Sequence, residues 1–135
     1  MRIMVIDGQG GRIGSMFVEK WLKTGQREED LVVIGTNSIA TSSMIKSGAR
    51  AAATGENPVV VNAGNADFIV GPIGIIAADA LLGEVTPAMA RAVASSPAKK
   101  VLIPMNACNY IVMGVGDQKL GELIEEAVRQ IVKKM

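Results

Sequence analysis

The stretch that decides the fold is Arg2-Ile-Met-Val-Ile-Asp7, followed at once by Gly8-Gln-Gly-Gly-Arg-Ile-Gly14. The run of apolar residues predicts a short buried strand, and apolar residues from Ile13 to Leu22 then recur at helical spacing. A glycine-rich turn between a strand and a helix brings backbone N–H groups close to a phosphate, and the helix N-terminus favours negative charge. We therefore predict that residues 8–14, the glycine loop, hold a phosphate-bearing ligand. A glycine-rich bend without a ligand is the alternative.

The rest of the chain alternates between strand-like and helix-like segments. Further strands are predicted at residues 31–35, 59–61, 67–71, 101–103 and, as a sixth, 110–113. Further helices are predicted from Asn37 or Ser38 towards Gly48, in two pieces at 73–82 and 87–95, and from Asp117 to the C-terminus, with a polar loop at 49–58. This alternation predicts the α/β class: a single Rossmann-like domain over residues 1–135, with a mainly parallel sheet flanked by helices.

Composition excludes several classes of function. The net charge is +1, from 14 basic and 13 acidic residues, and only four residues are aromatic, so binding to nucleic acid is not expected. The chain has no histidine, which excludes the usual hydrolase triads and histidine-based zinc sites, and we predict no metal site. The most apolar stretch, residues 68–78, is too short to cross a membrane. With one cysteine and no secretory signal, the protein is expected to be cytoplasmic.

Three departures from the dinucleotide-binding pattern bear on the ligand. The glycines are spaced as Gly8-x-x-Gly11-x-x-Gly14, not as GxGxxG. Asp7 would repel a pyrophosphate unless it binds Mg²⁺ or a ribose hydroxyl; equally, it could accept hydrogen bonds from N–H groups of the loop. The second strand ends in Gly35-Thr-Asn-Ser38, where NAD-binding proteins usually carry an acid. Neutral residues there favour an NADP-like ligand, although helix capping explains Asn37 and Ser38 equally well.

The loops after the predicted fourth and fifth strands should lie along the same rim of the sheet as the glycine loop. The predicted ligand-binding residues are Asp7, Gly8, Gln9, Gly10, Gly11, Arg12, Ile13, Gly14, Thr36, Asn37, Ser38, Gly71, Pro72 and Asn106. No catalytic residue is predicted. Cys108 is expected to be a buried, non-catalytic thiol, since no base lies nearby in sequence. Asp79, within an apolar segment, and Glu56, in the polar loop, have no assigned role.

Two family resemblances accompany these patterns. Residues 5–14 and Asp67-Phe-Ile-Val-Gly-Pro72 resemble segments of dihydrodipicolinate reductase, which implies a Rossmann nucleotide site; the catalytic His and Lys of that family have no counterpart here. Nearly the whole chain resembles a small bacterial family catalogued only as a domain of unknown function, which implies no activity. That second resemblance is carried by residues 5–11, 35–42, 53–57, 71–75 and 102–106.

The function predicted from the sequence is binding of a nucleotide or dinucleotide, by a stand-alone module or an accessory subunit. One alternative is a small NAD(P)-dependent oxidoreductase whose active site is completed by a partner protomer. Another is a structural subunit with a vestigial glycine loop. Residues 72–94 carry only three charged side chains, so we also predict a homodimer whose interface includes Leu82 and Met89.

Overall fold

A five-stranded sheet forms the centre of the computed structural model, which describes residues 1–104 and 109–135. Every pair of neighbouring strands is parallel, and the strand order is β3-β2-β1-β4-β5. The strands are β1 (Ile3–Asp7), β2 (Leu31–Gly35), β3 (Ala52–Thr54), β4 (Phe68–Pro72) and β5 (Lys99–Ile103). The predicted α/β class with a parallel sheet is confirmed.

Helices cover both faces of the sheet. They are α1 (Arg12–Lys23), α2 (Ser38–Lys46), α3 (Glu56–Ala63), α4 (Pro87–Ser95) and α5 (Leu120–Lys133), with short 3₁₀ helices at Glu28–Asp30 and Ile73–Ile76. Helices α1, α2 and α5 share one core with Ile3 and Val5 of β1, whereas α3 and α4 share the other with Met4 and Ile6. Burial of β1 on both faces explains its unbroken apolar run from Ile3 to Ile6.

The strand order reverses between β1 and β4, and this reversal positions the candidate site. From β1 the chain moves outward through β2 and β3, then crosses back to place β4 on the other side of β1. The connections that leave β1 and β4 therefore diverge and open a crevice at the carboxyl edge of the sheet, where open α/β folds bind ligands. The order matches the first five strands of the Rossmann fold.

The structure corrects the sequence-based prediction for residues 49–61. The predicted polar loop contains strand β3, and the predicted strand at 59–61 lies inside helix α3. Val59 and Ala63, four residues apart, are buried against the sheet, whereas Val60 and Val61 are exposed. Pro58 falls in the first turn of α3, where its missing N–H is no loss. Packing of one helical face thus overrides the strand preference of three consecutive valines.

The predicted helix at residues 73–82 is also wrong. A single 3₁₀ turn, Ile73–Ile76, is followed by irregular chain in which Asp79, Leu81 and Leu82 have positive φ angles of 66°, 57° and 57°. These left-handed residues cannot continue a helix. Asp79 is exposed on a turn, with its backbone N–H donating to Val85 O at 2.7 Å, so it is not a buried carboxylate within a helix.

Two predictions near the C-terminus are wrong as well. Residues 109–119 contain no strand, so the described part of the sheet ends at β5 and there is no sixth strand at 110–113. Helix α5 begins at Leu120 with Lys119 as its N-cap, not with Asp117. Across residues 1–104 and 109–135, we find no helix with the length and hydropathy needed to span a bilayer.

Candidate functional site

The glycine loop forms a tight turn at the carboxyl end of β1. Gly11 N–H donates to Gly8 O at 2.9 Å, and Gly11 has a φ of 74°, which favours glycine. A Cβ at Gly11 would collide with the backbone of Ala40 in α2, and a Cβ at Gly14 would collide with Met44. Close packing of α2 therefore explains these two glycines without any ligand.

Gly10 differs from the other glycines of the loop. It is exposed, and a Cβ built there would meet no atom within 4 Å. A Cβ at Gly8, in contrast, would meet the side chains of Thr36 and Leu81. Gly10 is thus the position of the loop where an incoming group has room to approach the backbone.

Asp7 is buried beneath the loop, with 4% of its surface exposed. Its two carboxylate oxygens accept hydrogen bonds from Gly8 N–H at 2.8 Å and Gly14 N–H at 2.7 Å. Asp7 thus satisfies one of the free donors at the start of α1 and fixes the turn that leads into the helix. Of the two alternatives for Asp7, this geometry supports acceptance of hydrogen bonds from the loop.

Burial raises the pKa of the Asp7 carboxyl above its ordinary value of 3.8. The N–H groups of Gly14, Gly8 and Ile13 act in the opposite direction, and the negative charge of Glu84 adds to the rise.

Glu84 reaches the glycine loop from the irregular connection between β4 and α4. A single oxygen, Glu84 Oε1, accepts three hydrogen bonds: from Gln9 N–H at 2.9 Å, from Thr36 Oγ1 at 2.8 Å and from Asn37 Nδ2 at 2.6 Å. Asn37 Nδ2 also donates to Gln9 O at 3.0 Å. Glu84, which is 75 residues from Gln9 in sequence, therefore ties the glycine loop to the end of β2.

Desolvation opposes ionisation of Glu84, but the hydrogen bonds from Gln9, Thr36 and Asn37 outweigh it. They hold the pKa of the Glu84 carboxyl below its ordinary value of 4.5. The site consequently presents a carboxylate, partly open to solvent, where the second strand meets the glycine loop.

An open cavity of about 210 Å³ lies against the glycine loop. Its walls come from residues 7–13, Pro72 at the end of β4 and Leu81 from the connection that follows. Within the described parts of the chain, the backbone N–H groups of Gly10 and Arg12 have no hydrogen-bond acceptor. These two donors, together with the exposed Arg12 side chain, are the groups that this cavity offers to an anion.

The structure brings most of the predicted ligand-binding residues to this edge. Thr36 and Asn37 contact the loop through Glu84, and Pro72 lines the cavity. Gly71 is buried in β4, where a Cβ would collide with the backbone of β1. Ser38 is exposed at the start of α2 and makes no hydrogen bond with the loop. Asn37 does cap α2, through a hydrogen bond from Ala40 N–H to Asn37 Oδ1 at 2.9 Å.

Three further residues singled out from the sequence either lie outside the described residues or make their hydrogen bond away from the glycine loop. Asn106 and Cys108 fall at residues 105–108, outside the described residues. Glu56 opens helix α3, and its Oε1 accepts a hydrogen bond from Thr86 Oγ1 at 2.5 Å. Glu56 therefore joins α3 to the N-terminus of α4, and this contact is structural.

A larger cavity, of about 630 Å³, lies elsewhere, between residues 110–118 and the start of α5. Its apolar walls include Tyr110, Val115 and Leu123, and it carries one acidic side chain, Asp117. Tyr110 and Gln118 supply side-chain donors to this cavity, and its size alone does not identify a ligand site.

Glu84 is the residue of the candidate site that the sequence analysis did not single out. It lies in a stretch of 23 residues, 72–94, with only two other charged side chains, Asp79 and Arg91. From its position in the connection after β4, this isolated acid could have been predicted to lie at the carboxyl edge of the sheet. Its contact with Gln9 and Asn37 could not have been predicted, because that contact depends on how the connection folds.

Comparison with known proteins identifies the family of this chain. Searches of curated proteins and of solved structures found no significant match, so the resemblance of the glycine loop to dihydrodipicolinate reductase stays a prediction. A family model matches residues 2–135, and the whole-chain resemblance seen in the sequence is thereby confirmed. The chain belongs to the family described as Domain of unknown function (DUF3842).

Proposed function

We propose that this protein binds a phosphate-bearing nucleotide at the carboxyl edge of its sheet, as a stand-alone binding module or an accessory subunit. The observation that carries the proposal is the cavity at the point where the strand order reverses, with the glycine loop as its floor. Gly10 and Arg12 line this cavity, and their N–H groups have no acceptor among the described residues; the N-terminus of α1 favours negative charge there.

We favour an NADP-like ligand over an NAD-like one. The segment that leaves β2 carries Thr36 and Asn37, which are neutral donors suited to the oxygens of a 2′-phosphate. The acid that commonly receives the ribose hydroxyls is absent from that segment. A phosphate has to compete there with Glu84, which accepts hydrogen bonds from both residues.

Thermal unfolding in the presence of nucleotides tests the proposal. We expect NADP(H) at about millimolar concentration to raise the melting temperature, because a ligand that binds only the native state stabilises it by mass action. NAD(H), ATP, GTP and FAD form the comparison panel. A panel that produces no shift at all would contradict the proposal.

Gly10→Val locates the ligand. The new side chain enters open space, so the fold should persist while the approach of a phosphate to the backbone is blocked. The matched control is Gly64→Val at the C-terminus of α3, the opposite edge of the sheet, where a Cβ also meets no atom within 4 Å. Loss of the shift in Gly10→Val alone supports the assignment; an unchanged shift would place the ligand elsewhere.

We also propose that the protein forms a homodimer. Leu82, at 96% exposure, supplies apolar surface within the predicted interface at 72–94, whereas Met89 is only 4% exposed and belongs to the core of its own chain. Light scattering at about ten micromolar should give twice the monomer mass, and Leu82→Glu should reduce it. A monomeric mass for the unmodified chain would contradict the dimer, and a dimer unaffected by Leu82→Glu would have its interface elsewhere.

A further inference from the structure

The oxygen of Glu84 occupies a position where three hydrogen-bond donors converge. We propose that Gln9 N–H, Thr36 Oγ1 and Asn37 Nδ2 form a binding subsite for a phosphate oxyanion of the ligand. Glu84 fills this subsite in the free protein and is displaced when the phosphate binds. The inference deepens the proposed function and rests on it for the identity of the ligand, a nucleotide with a phosphate at this end.

The chemistry of the donors selects an oxyanion. A backbone N–H, a hydroxyl and an amide all point at one oxygen, over distances of 2.6 to 2.9 Å. An oxygen that accepts three hydrogen bonds is best supplied by an ionised group, whose hydrogen bonds are stronger than those of a neutral acceptor. Carboxylate and phosphate oxygens both meet this requirement.

Among the described residues, no cation lies within salt-bridge distance of Glu84 to compensate for a second negative charge at the subsite. All three donors are neutral, and none of the salt bridges among the described residues includes Glu84. Two anions held a few ångströms apart would repel each other. The phosphate and the Glu84 carboxylate therefore bind the subsite in turn, not together.

The part that moves is the Glu84 side chain, not the connection that carries it. The neighbouring Leu81 and Val85 are 8% and 1% exposed, and hydrogen bonds from Asp79 N–H to Val85 O and from Val85 N–H to Ala80 O hold the backbone. Glu84 itself is only partly buried, so its side chain can rotate towards solvent. The three donors lost by the carboxylate pass to the phosphate, so the exchange leaves no donor unpaired.

Displacement of Glu84 by a phosphate can be distinguished from a role of Glu84 in binding ribose. If Glu84 gives way to a 2′-phosphate, removing its charge strengthens binding of NADP and of inorganic phosphate. If instead Glu84 accepts hydrogen bonds from ribose hydroxyls, as an acid at this edge does in NAD-binding proteins, removing its charge weakens binding of NAD.

The experiment compares the unmodified protein with Glu84→Gln and Glu84→Ala, and with Glu122→Gln as the control on the exposed surface of α5. Inorganic phosphate is titrated at pH 7.5 and followed by the amide NMR signal of Gln9; NADP and NAD are titrated by calorimetry. We expect the two Glu84 variants to bind phosphate and NADP roughly tenfold more tightly than the unmodified protein, about 1.4 kcal/mol. The control should match the unmodified protein.

The outcomes separate this inference from the proposed function. If phosphate up to about 50 mM leaves the Gln9 signal of Glu84→Ala unchanged, the inference is wrong. If a nucleotide binds the unmodified protein but binds the Glu84 variants equally or more weakly, the proposed function stands and displacement is wrong. If phosphate binds at Gln9 in the variants but no nucleotide binds any protein, the subsite stands and the proposed nucleotide function is wrong.

Discussion

The connections that leave β1 and β4 face each other across the candidate site, yet they are held in place by different means. The glycine loop takes its shape from short-range hydrogen bonds, between Asp7 and Gly14 and between Gly11 and Gly8. The connection after β4 (residues 73–86, the β4–α4 connection) contains left-handed residues and is anchored by buried Leu81 and Val85. The glycine loop is marked in the sequence by a local motif, whereas the β4–α4 connection has short-range hydrogen bonds of its own, such as Asp79 N–H to Val85 O, but is also fixed by buried side chains.

The largest expected effect tests the anchor of the β4–α4 connection. Leu81 and Leu82 share a φ of 57°, but Leu81 is 8% exposed and Leu82 is 96% exposed. Because the two residues have the same backbone strain, the difference in free energy of unfolding between Leu81→Ala and Leu82→Ala measures the effect of side-chain burial. We expect Leu81→Ala to reduce the free energy of unfolding by about 3 kcal/mol, and Leu82→Ala by less than about 0.5 kcal/mol, in urea titrations at a protein concentration low enough that the chains are monomeric. Equal effects would show that packing of Leu81 does not anchor the connection.

The second effect tests the local design of the glycine loop. Asparagine in place of Asp7 has one carbonyl oxygen, so one of the N–H groups of Gly8 and Gly14 loses its acceptor in a buried position. We expect Asp7→Asn to destabilise the protein by about 2 kcal/mol at neutral pH. An Asp7→Asn variant as stable as the unmodified protein would show that these hydrogen bonds do not hold the loop.

The third effect tests the link between the two connections. Glutamine in place of Glu84 keeps an acceptor oxygen but removes the charge that strengthens three hydrogen bonds. We expect Glu84→Gln to lower the free energy of unfolding by about 1 kcal/mol. Hydrogen exchange should quicken at Gln9 N–H and stay unchanged at Gly14 N–H, which Asp7 holds. Faster exchange at both amides would mean that Glu84 supports the whole loop.

The smallest effect is in the pH dependence of stability, where the two carboxylates act with opposite signs. The pKa of Asp7 is raised in the folded protein, so its contribution to stability is fully present below the ordinary value of 3.8 and declines as the pH rises through the folded pKa. The pKa of Glu84 is lowered, so its contribution is present above the ordinary value of 4.5 and is lost as the pH falls through the folded pKa.

Melts from pH 3 to pH 8 measure these two contributions as differences between each variant and the unmodified protein. The advantage of the unmodified protein over Asp7→Asn should shrink with rising pH, and its advantage over Glu84→Gln should shrink with falling pH. Slopes of the same sign for both variants would contradict the assigned environments.

The accuracy of the sequence-based predictions follows the same division between local and tertiary control. Strands β1 and β2, helix α1 and the Asn37 cap of α2 are confirmed, because their apolar periodicity and capping residues act over a few positions. The β-branched residues around Val59 predict a strand, and only packing against the sheet makes this stretch a helix.

The amino-acid sequence by itself determined that the fold is a parallel α/β fold with a glycine loop between the first strand and the first helix. Short-range rules sufficed, since the period of apolar residues and the backbone freedom of glycine act within a few positions of the chain. Tertiary structure alone decided that Gly11 and Gly14 pack against α2 and that Gly10 faces open space. It also decided that Glu84 accepts hydrogen bonds from Gln9 and Asn37. Those contacts join residues that are distant in sequence, and they exist only because the strand order brings β2, β1 and β4 to one edge.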